Sequence, residues 1–365
     1  MLKKKKNKKI LFTGGHAGTT TLSILDEIKA QKKNWELHFI GVKKAIEGKS
    51  VETLEYKILS EQEVHFHSLV TGRIQKKFTR YSIFSFLKIF LGIFHAFTLV
   101  NRIKPDVVVS VGGFASFPVV INAYLRRVPI IIHEQTSAVG LANKMASVSA
   151  AQILISRESS KKYFPEKKTK LVGNPIRGDY AKLPVKEKIT GTPTILITGG
   201  SRGSQPINRM IKKILPDLLQ KYKVIHLTGQ LDFEDFKKYS ASNYVVYDFV
   251  DLKDMVNFFK ESDVVIARSG ANTVSELIAL CKPAILIPIP WTRYDEQNLN
   301  AKFAKKLGLA EIIDQDADSS EKLLKMIEKQ INNFSEIVKE VKKQKFDLDR
   351  TAPKKIVDEI SCFVE

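Results

Sequence analysis

Three glycine-containing turns are the first candidates for chemistry in this sequence. They are Thr13-Gly14-Gly15-His16, Gly199-Gly200-Ser201, and Gly270 with the residues after it, and each follows a short apolar run. Glycine at such a turn lets backbone N–H groups approach a phosphate, and the N-terminus of a following helix adds partial positive charge. The turns predict sites for an anion such as a diphosphate. His16 could act as a general base near neutral pH, although a lone histidine can equally be structural.

Groups that could bind hydroxyls follow the third turn. Glu276 lies about one turn into the helix predicted after Gly270, and its two carboxylate oxygens could accept from a ribose diol. Farther along, Asp295-Glu296-Gln297-Asn298 follows a predicted strand and could hold sugar hydroxyls. An ordinary capped helix and a polar loop have the same composition, so the residues alone leave both interpretations open.

Dinucleotide and metal sites are disfavoured. The first turn is not Gly-x-Gly-x-x-Gly, and no acidic residue ends the second predicted strand, where the ribose of NAD would require one. The Asp-x-Asp strings, Asp314-Gln315-Asp316 with Asp318 and Asp347-Leu348-Asp349, lie in polar stretches away from the glycine turns, and we predict that both are solvated. Cys281 and Cys362 show no metal-ligand spacing and no disulfide framework, as expected in a reducing cytoplasm.

Short apolar runs alternate with segments of helical period along most of the chain. Predicted strands cover residues 10–12, 37–40, 107–111 and 130–132, with helices over 22–31 and 138–148. After a polar stretch the pattern restarts, with strands over 194–198, 224–227, 244–247, 264–267 and 284–287. This alternation predicts an α/β fold of two Rossmann-like, doubly wound parallel-sheet domains with a cleft between them. Ligands of such sheets bind beyond the carboxyl ends of the strands, where the glycine turns fall.

A chain of 365 residues has room for two domains. We predict an N-terminal domain over residues 1–180, a linker over 181–192 and a C-terminal domain over 193–349. One segment of the first domain, Tyr81 to Val100, is unusually apolar, with Lys88 as its only charge and basic residues on both flanks. We predict an amphipathic helix with an apolar, basic-rimmed face that touches lipid; a plain core helix is the alternative, and a membrane span is the least favoured.

The formal net charge is +20, from 59 Lys and Arg against 39 Asp and Glu. A field of this sign favours anionic partners: nucleic acid, an anionic membrane surface or phosphate-bearing substrates. We do not predict nucleic-acid binding, because no known nucleic-acid module is visible and the aromatic residues concentrate in the apolar segment instead of alternating with Arg and Lys.

Taken together, these motifs resemble the MurG-like family of peptidoglycan N-acetylglucosaminyltransferases, which have the GT-B fold. The resemblance covers most of the chain. The motifs that carry it are, in order, Val111–Pro118, His133-Glu134-Gln135, Gly140–Lys144, Gly173-Asn174-Pro175-Ile176-Arg177, Gly199-Gly200-Ser201, Phe249-Val250-Asp251 and Arg268–Glu276.

The resemblance implies an inverting transfer of GlcNAc from UDP-GlcNAc to the 4-hydroxyl of the MurNAc unit of a lipid-linked MurNAc-peptide, undecaprenyl-diphospho-MurNAc-peptide. It implies no tightly bound metal or other cofactor. The enzyme would be peripheral, on the cytoplasmic face of the cell membrane. The N-terminal domain would hold the acceptor and the C-terminal domain the UDP-sugar, with residues 350–365 packing back on the first domain.

Residue roles follow from the same resemblance. His16 is the candidate base, and Glu134 is the second candidate. Uracil would lie near Phe249 and Val250, and Arg177 near the nucleotide. The other implied donor contacts are Ser201 and the turn of Ala271, Asn272, Thr273, Val274 and Ser275 for the diphosphate, Glu276 for the ribose and Gln297 for the GlcNAc hydroxyls. Thr13, Gly14, Gly15 and Thr136 complete the predicted substrate-binding set.

The N-terminal side departs most from the family pattern. The first loop keeps Thr-Gly-Gly-His but is shorter, Thr136 stands where Asn is usual, and Glu296 stands where Gln is common. Two alternatives therefore stay open: a related GT-B enzyme that makes another glycolipid, against which the His-Glu-Gln motif argues, and a UDP-GlcNAc 2-epimerase, against which the apolar segment argues.

Overall fold

The computed structural model describes residues 7–15, 18–44, 52–71, 81–200, 202–316, 319–344 and 346–365, apart from the side chains of residues 54, 81–89 and 293. The chain forms two compact units. Unit 1 comprises residues 1–178 and 348–365, and unit 2 comprises residues 179–347. Each contains one parallel sheet, so the predicted fold class of two doubly wound α/β domains is confirmed.

Unit 1 is built on a seven-stranded sheet with the order β3-β2-β1-β4-β5-β6-β7. Its strands are β1 (Lys8–Thr13), β2 (Trp35–Gly41), β3 (His65–Ser68), β4 (Val107–Ser110), β5 (Ile130–Glu134), β6 (Gln152–Ile155) and β7 (Thr169–Leu171). The described helices between them are α1 (Gly18–Ala30), α2 (Leu54–Ser60), α3 (Tyr81–Ile103), α4 (Ser116–Leu125) and α5 (Leu141–Ala146). The central strand β4 and its neighbour β5 are buried along their whole length, which explains why they are mostly apolar runs in the sequence.

Unit 2 is built on a six-stranded sheet with the order β10-β9-β8-β11-β12-β13. Its strands are β8 (Thr194–Thr198), β9 (Lys223–Leu227), β10 (Tyr244–Tyr247), β11 (Val264–Ala267), β12 (Ala284–Leu286) and β13 (Ala310–Ile312). The helices described in this part of the chain are α6 (Gly178–Lys182, at the boundary), α7 (Gln205–Lys221), α8 (Phe233–Lys237), α9 (Leu252–Glu261), α10 (Ala271–Ala279), α11 (Glu296–Lys306), α12 (Ser320–Asn332) and α13 (Phe334–Lys343).

The segment predicted as a linker, residues 181–192, belongs to unit 2. Lys186 within it pairs with Asp263, a carboxylate that is only 1% exposed and that also accepts from the backbone N–H of Thr194 at 2.8 Å. The burial of Asp263 explains the attachment, because a buried carboxylate requires a cation and hydrogen-bond donors.

The last helix, α14 (Leu348–Val364), belongs to unit 1 and is fixed there by a buried ion pair. Asp349 is fully buried and accepts two hydrogen bonds from the Arg157 guanidinium, at 2.7 and 2.8 Å. Asp349 also accepts from the backbone N–H of Asn174 at 2.8 Å. The prediction that the string Asp347-Leu348-Asp349 is solvated was therefore wrong for Asp349, because its partner, Arg157, lies far away in sequence.

Replacing Asp349 with Ala should lower the free energy of unfolding of unit 1 by about 3–5 kcal/mol, because it leaves the buried Arg157 cation unpaired. Glu63→Ala is the matched control. Glu63 is an exposed carboxylate in a turn of unit 1, so its loss should change stability by less than about 0.5 kcal/mol. Urea unfolding followed by circular dichroism measures both. Equal stability of the two variants would contradict the assigned role of the ion pair.

Candidate active site

The glycine turns of unit 1 meet at the carboxyl ends of β1 and β4. The backbone N–H of Gly15 donates to the carbonyl of Gly112 at 2.9 Å. Gly113 has φ of +90°, and a Cβ there would lie 2.7 Å from the Gly15 nitrogen. Only glycine fits this contact, so the two turns are held backbone to backbone. Thr13 is fully buried and its hydroxyl donates to the Ile40 carbonyl at 3.0 Å, which places its side chain inside the sheet.

Glu134 ends β5 and is enclosed by hydrogen-bond donors. One carboxylate oxygen accepts from the Thr136 backbone N–H at 3.3 Å and its hydroxyl at 3.2 Å. The other accepts from the Gly140 N–H at 3.1 Å and the Asn143 amide at 3.0 Å. The side chain is 5% exposed, and burial raises the pKa of its carboxyl while the four bonds act against that rise. The carboxylate thus holds the loop between β5 and α5 in shape.

This loop explains a difference from the sequence prediction. A helix was expected over residues 138–148, but α5 covers only Leu141–Ala146. Because the Glu134 carboxylate binds the N–H groups of Thr136 and Gly140, the chain between them curves around it instead of starting a helix. Thr136 is 9% exposed and its hydroxyl is also within 2.8 Å of the Ala138 carbonyl. Its side chain therefore lies under the loop surface.

Two predicted site residues, His16 and Ser201, lie outside the described residues. The described neighbours of His16 are Gly14, which is buried, and Gly15, which is partly exposed. Arg177, in the last motif of unit 1, is partly exposed. The backbone just before it is fixed, because Gly173 has φ of +98° and Asn174 donates its N–H to Asp349.

In unit 2, the turn after β8 leads into α7 through a compact glycine loop. The N–H of Gly200 is bonded to the Thr198 hydroxyl at 3.1 Å, and the N–H of Gly203 to the Gly200 carbonyl at 2.9 Å. A Cβ on Gly203 would lie 2.1 Å from the Thr228 carbonyl, whereas one on Gly200 would meet nothing within 4 Å. The loop is packed on one side and open at Gly200.

The N-terminus of α10 follows β11 and has the features of an anion site. Gly270 precedes the helix without a side-chain cap, and the first turn has no acidic residue. A Cβ on Gly270 would meet nothing within 4 Å, so the N-terminus faces open space. Ala271, Asn272 and Thr273 are partly exposed at this turn, as is Glu276 one turn later. Val274 and Ser275 are buried, so their side chains support the helix. The N–H groups and the dipole at such a helix end attract phosphate.

The remaining predicted donor residues lie at the same edge of the sheet. Phe249, after β10, is 56% exposed, and Val250 is partly buried. Asp251 caps α9 by accepting from the N–H groups of Lys253 and Asp254, both at 2.8 Å. Gln297 accepts from the Ile289 N–H at 3.0 Å and, through its carbonyl, from the Ser269 hydroxyl at 2.8 Å. The loop between β12 and α11 is therefore tied to the α10 turn.

The strand ends bring these residues together within each unit, as the sequence predicted from the parallel alternation. Sequence reasoning missed the supporting residues, above all Arg157 and Asp349. These residues support the site through buried hydrogen bonds, and they do not belong to a recognisable sequence motif. Among the described residues, no group of three or more His, Cys, Asp or Glu side chains has the arrangement of a metal site.

Comparison with known proteins identifies the family. Residues 10–155 match the glycosyltransferase family 28 N-terminal domain, and residues 194–360 match the family's C-terminal domain. A protein of Clostridium novyi named UDP-N-acetylglucosamine–N-acetylmuramyl-(pentapeptide) pyrophosphoryl-undecaprenol N-acetylglucosamine transferase is 31% identical over 368 residues, which cover 99% of this chain and 98% of the relative.

Solved structures agree on the fold. MurG of Acinetobacter baumannii superposes with a TM-score of 0.73 at 22% identity, covering 97% of this chain and 99% of that one. UDP-GlcNAc 2-epimerase of Neisseria meningitidis, bound to UDP-GlcNAc, gives 0.65 at 14% identity, covering 97% and 99%. Fold and site together define a glycosyltransferase of the GT-B class. More specifically, the chain belongs to glycosyltransferase family 28, and the predicted resemblance is confirmed.

Replacing Glu134 with Gln should lower the free energy of unfolding by roughly 1–3 kcal/mol, because the new NH2 group would face two buried donors. Thr136→Val is the matched control. It removes one hydroxyl donor but leaves the carboxylate, and should cost less, about 0.5–1.5 kcal/mol. Denaturant unfolding of the two variants tests this. A Gln variant as stable as the wild type would show that the Glu134 bonds do not hold the loop.

Proposed function

We propose that this protein transfers GlcNAc from UDP-GlcNAc to the 4-hydroxyl of MurNAc in undecaprenyl-diphospho-MurNAc-peptide, with inversion at the anomeric carbon. The observation that carries the proposal is the match over nearly the whole chain, at 31% identity, to a transferase named for this reaction. The epimerase alternative has less support, because the Neisseria enzyme is only 14% identical in sequence and the similarity is therefore limited to the fold.

The donor site is proposed at the carboxyl edge of the unit 2 sheet. The diphosphate would bind the first turn of α10, from Ala271 to Ser275, and the glycine loop with Ser201. The open space beside Gly270 and Gly200 supports both contacts. Glu276 would accept from the ribose hydroxyls, Phe249 and Val250 would lie against the uracil, Arg177 near the nucleotide, and Gln297 at the GlcNAc hydroxyls. Exposure of the Phe249 ring supports its stacking role.

The chemistry requires a base and a stabilised leaving group. A base takes the proton of the acceptor 4-hydroxyl as its oxygen forms the new bond to the anomeric carbon, and UDP departs with the electrons of the broken bond. We propose His16 as this base. Glu134 fits a positioning role better, because all four of its hydrogen bonds go to its own loop and to α5. We propose that the α10 N-terminus stabilises the departing UDP and that no tightly bound metal takes part.

Membrane-surface binding is proposed for an apolar patch on unit 1. The patch consists of exposed side chains of α3, α4 and α5, three helices that pack in series, and of the turn that follows α5: Phe90, Leu91, Phe94, Phe97, Tyr124, Leu125, Leu141, Met145 and Val148. Phe94, Leu125 and Val148 are 72%, 70% and 82% exposed. The opposite face of α3 is packed in the core through Ala96, Val100 and Ile103, so the helix is amphipathic.

Charge around the apolar patch suits an anionic surface. Between residues 64 and 157 the only carboxylates are Asp106 and Glu134, and the latter is buried. Arg102, Arg127 and Lys144 are exposed, and the Arg126 guanidinium lies 4.7 Å from the centre of the Phe97 ring. Apolar area together with nearby cations is the combination that binds a peripheral protein to anionic lipid. None of the helices in the described residues is long and apolar enough to cross a membrane.

The reaction is tested by GlcNAc transfer from UDP-GlcNAc to a short-chain lipid-linked MurNAc-peptide, with and without EDTA. We expect turnover that EDTA does not reduce. His16→Ala should lower kcat by roughly 10²-fold or more, the usual contribution of a general base. Donor binding without turnover would indicate another acceptor. Turnover unaffected by the substitution would exclude His16 as the base.

Vesicle binding tests the apolar patch. Phe94→Glu should weaken binding to vesicles containing anionic lipid by about tenfold or more in a sedimentation assay, because it puts a carboxylate at the lipid surface and removes apolar area. Leu231→Glu is the control, since Leu231 is 81% exposed but lies in unit 2. Equal weakening by both substitutions would point to a general charge effect instead of a membrane-binding patch.

A further inference from the structure

Arg268 connects several segments at the carboxyl edge of the unit 2 sheet. It follows β11 directly and is 8% exposed. One terminal nitrogen of its guanidinium donates to the carbonyls of Ile287 and Pro288, at 2.9 and 3.3 Å. The other donates to the Ser204 hydroxyl at 2.7 Å and the Gln315 side-chain carbonyl at 2.8 Å. Three segments besides its own are therefore joined by one side chain.

These four bonds use all the hydrogens on the two terminal nitrogens. A guanidinium has five N–H donors, four of them on the terminal nitrogens and one on Nε. All four acceptors are neutral oxygens, so the bonds satisfy the donors without a carboxylate. Burial lowers the pKa of Arg268 to about 10, which still leaves it charged at neutral pH. Its terminal nitrogens have no N–H left for a phosphate in this arrangement.

The joined segments are those that carry the proposed donor contacts. Ser204 ends the glycine loop and precedes α7. Ile287 and Pro288 begin the loop after β12, which leads to Gln297. Ser269, next to Arg268, donates to the Gln297 carbonyl at 2.8 Å, and its own carbonyl accepts from the Asn300 amide at 3.1 Å. Gln297 in turn accepts from the Ile289 N–H at 3.0 Å.

We propose that Arg268 is a positioning residue that fixes the glycine loop and the β12–α11 loop relative to the N-terminus of α10, through the hydrogen-bond fork of its two terminal nitrogens, which do not contact the diphosphate. The side chain reaches the glycine loop through Ser204 and the β12–α11 loop through Pro288. Its planar guanidinium is suited to this, because it presents paired donors in a fixed geometry that a lysine lacks.

The test separates geometry from charge. Arg268→Lys keeps the positive charge but loses the fork, and Arg268→Met loses both. We expect both variants to raise the KM for UDP-GlcNAc about tenfold or more, with a smaller change in kcat, because donor contacts are misplaced. If the lysine variant keeps the wild-type KM while the methionine variant does not, the charge acts alone and the proposal is overturned.

A second readout does not depend on any ligand. The KM measurement rests on the proposed function, whereas the order of the β12–α11 loop can be followed through Trp291, one of two tryptophans, with Trp35→Phe as the background. Trp291 is 67% exposed in this loop. Its fluorescence anisotropy should fall in both Arg268 variants without donor. Unchanged anisotropy in both would overturn the proposal even if the protein proves not to use UDP-GlcNAc.

Gln315→Leu keeps the test valid if the Arg268 variants do not fold. It removes a single acceptor, so it should raise the KM about two- to tenfold and lower the Trp291 anisotropy slightly, as expected for one hydrogen bond. Lys322→Leu is the matched control, because it alters an exposed residue of α12 in the same unit and should change neither value. Wild-type KM and anisotropy in the Gln315 variant would also overturn the proposal.

Discussion

A charged group buried at the carboxyl end of a parallel strand must be satisfied by the protein itself, and this constraint shapes the loops of both units. Glu134 ends β5 and accepts hydrogen bonds from the loop that follows it and from Asn143 of α5. Arg268 follows β11 and gives four hydrogens to other loops. In both cases the hydrogen bonds of one side chain hold loop segments in place that lack the regular hydrogen bonds of a helix or a sheet. Rigid loops at these strand ends are what a binding site requires, since affinity falls when contacts must be ordered at the moment of binding.

The same constraint anchors the end of the chain. Asp349 pairs with Arg157 and accepts from Asn174, so α14, the segment after β6 and the start of the Gly173–Arg177 motif share one buried carboxylate. Gly173 explains the close approach, because a Cβ there would lie 2.5 Å from the Leu348 carbonyl. Gly173 and Asn174, which belong to the same motif as Arg177, thus also hold the last helix in place.

The sequence predicts the strands well because their signal is local: runs such as 107–110 and 264–267 are almost wholly apolar, as expected for strands of a parallel sheet that is covered on both faces. It predicts the glycine turns for the same reason. It does not predict which charged residues are buried. Asp347 and Asp349 lie in the same polar string, but only Asp349 is buried, because it pairs with Arg157, which lies far away in the sequence. It also overextends α5, because the bonds that oppose helix formation come from Glu134, outside the helical pattern.

Thr136 illustrates how a departure from a family pattern should be weighed. In the sequence, a threonine where asparagine is usual suggests a changed acceptor. In the structure its hydroxyl lies 3.2 Å from a Glu134 oxygen and 2.8 Å from the Ala138 carbonyl, two acceptors that share its one hydrogen, and the side chain is 9% exposed. The residue at this position therefore acts first on the shape of the β5–α5 loop, and a hydroxyl can serve the Glu134 carboxylate as a donor just as an amide could. A different residue at this buried position alters acceptor specificity only if it moves the β5–α5 loop. The presence of Thr136 is therefore weak evidence for a different acceptor.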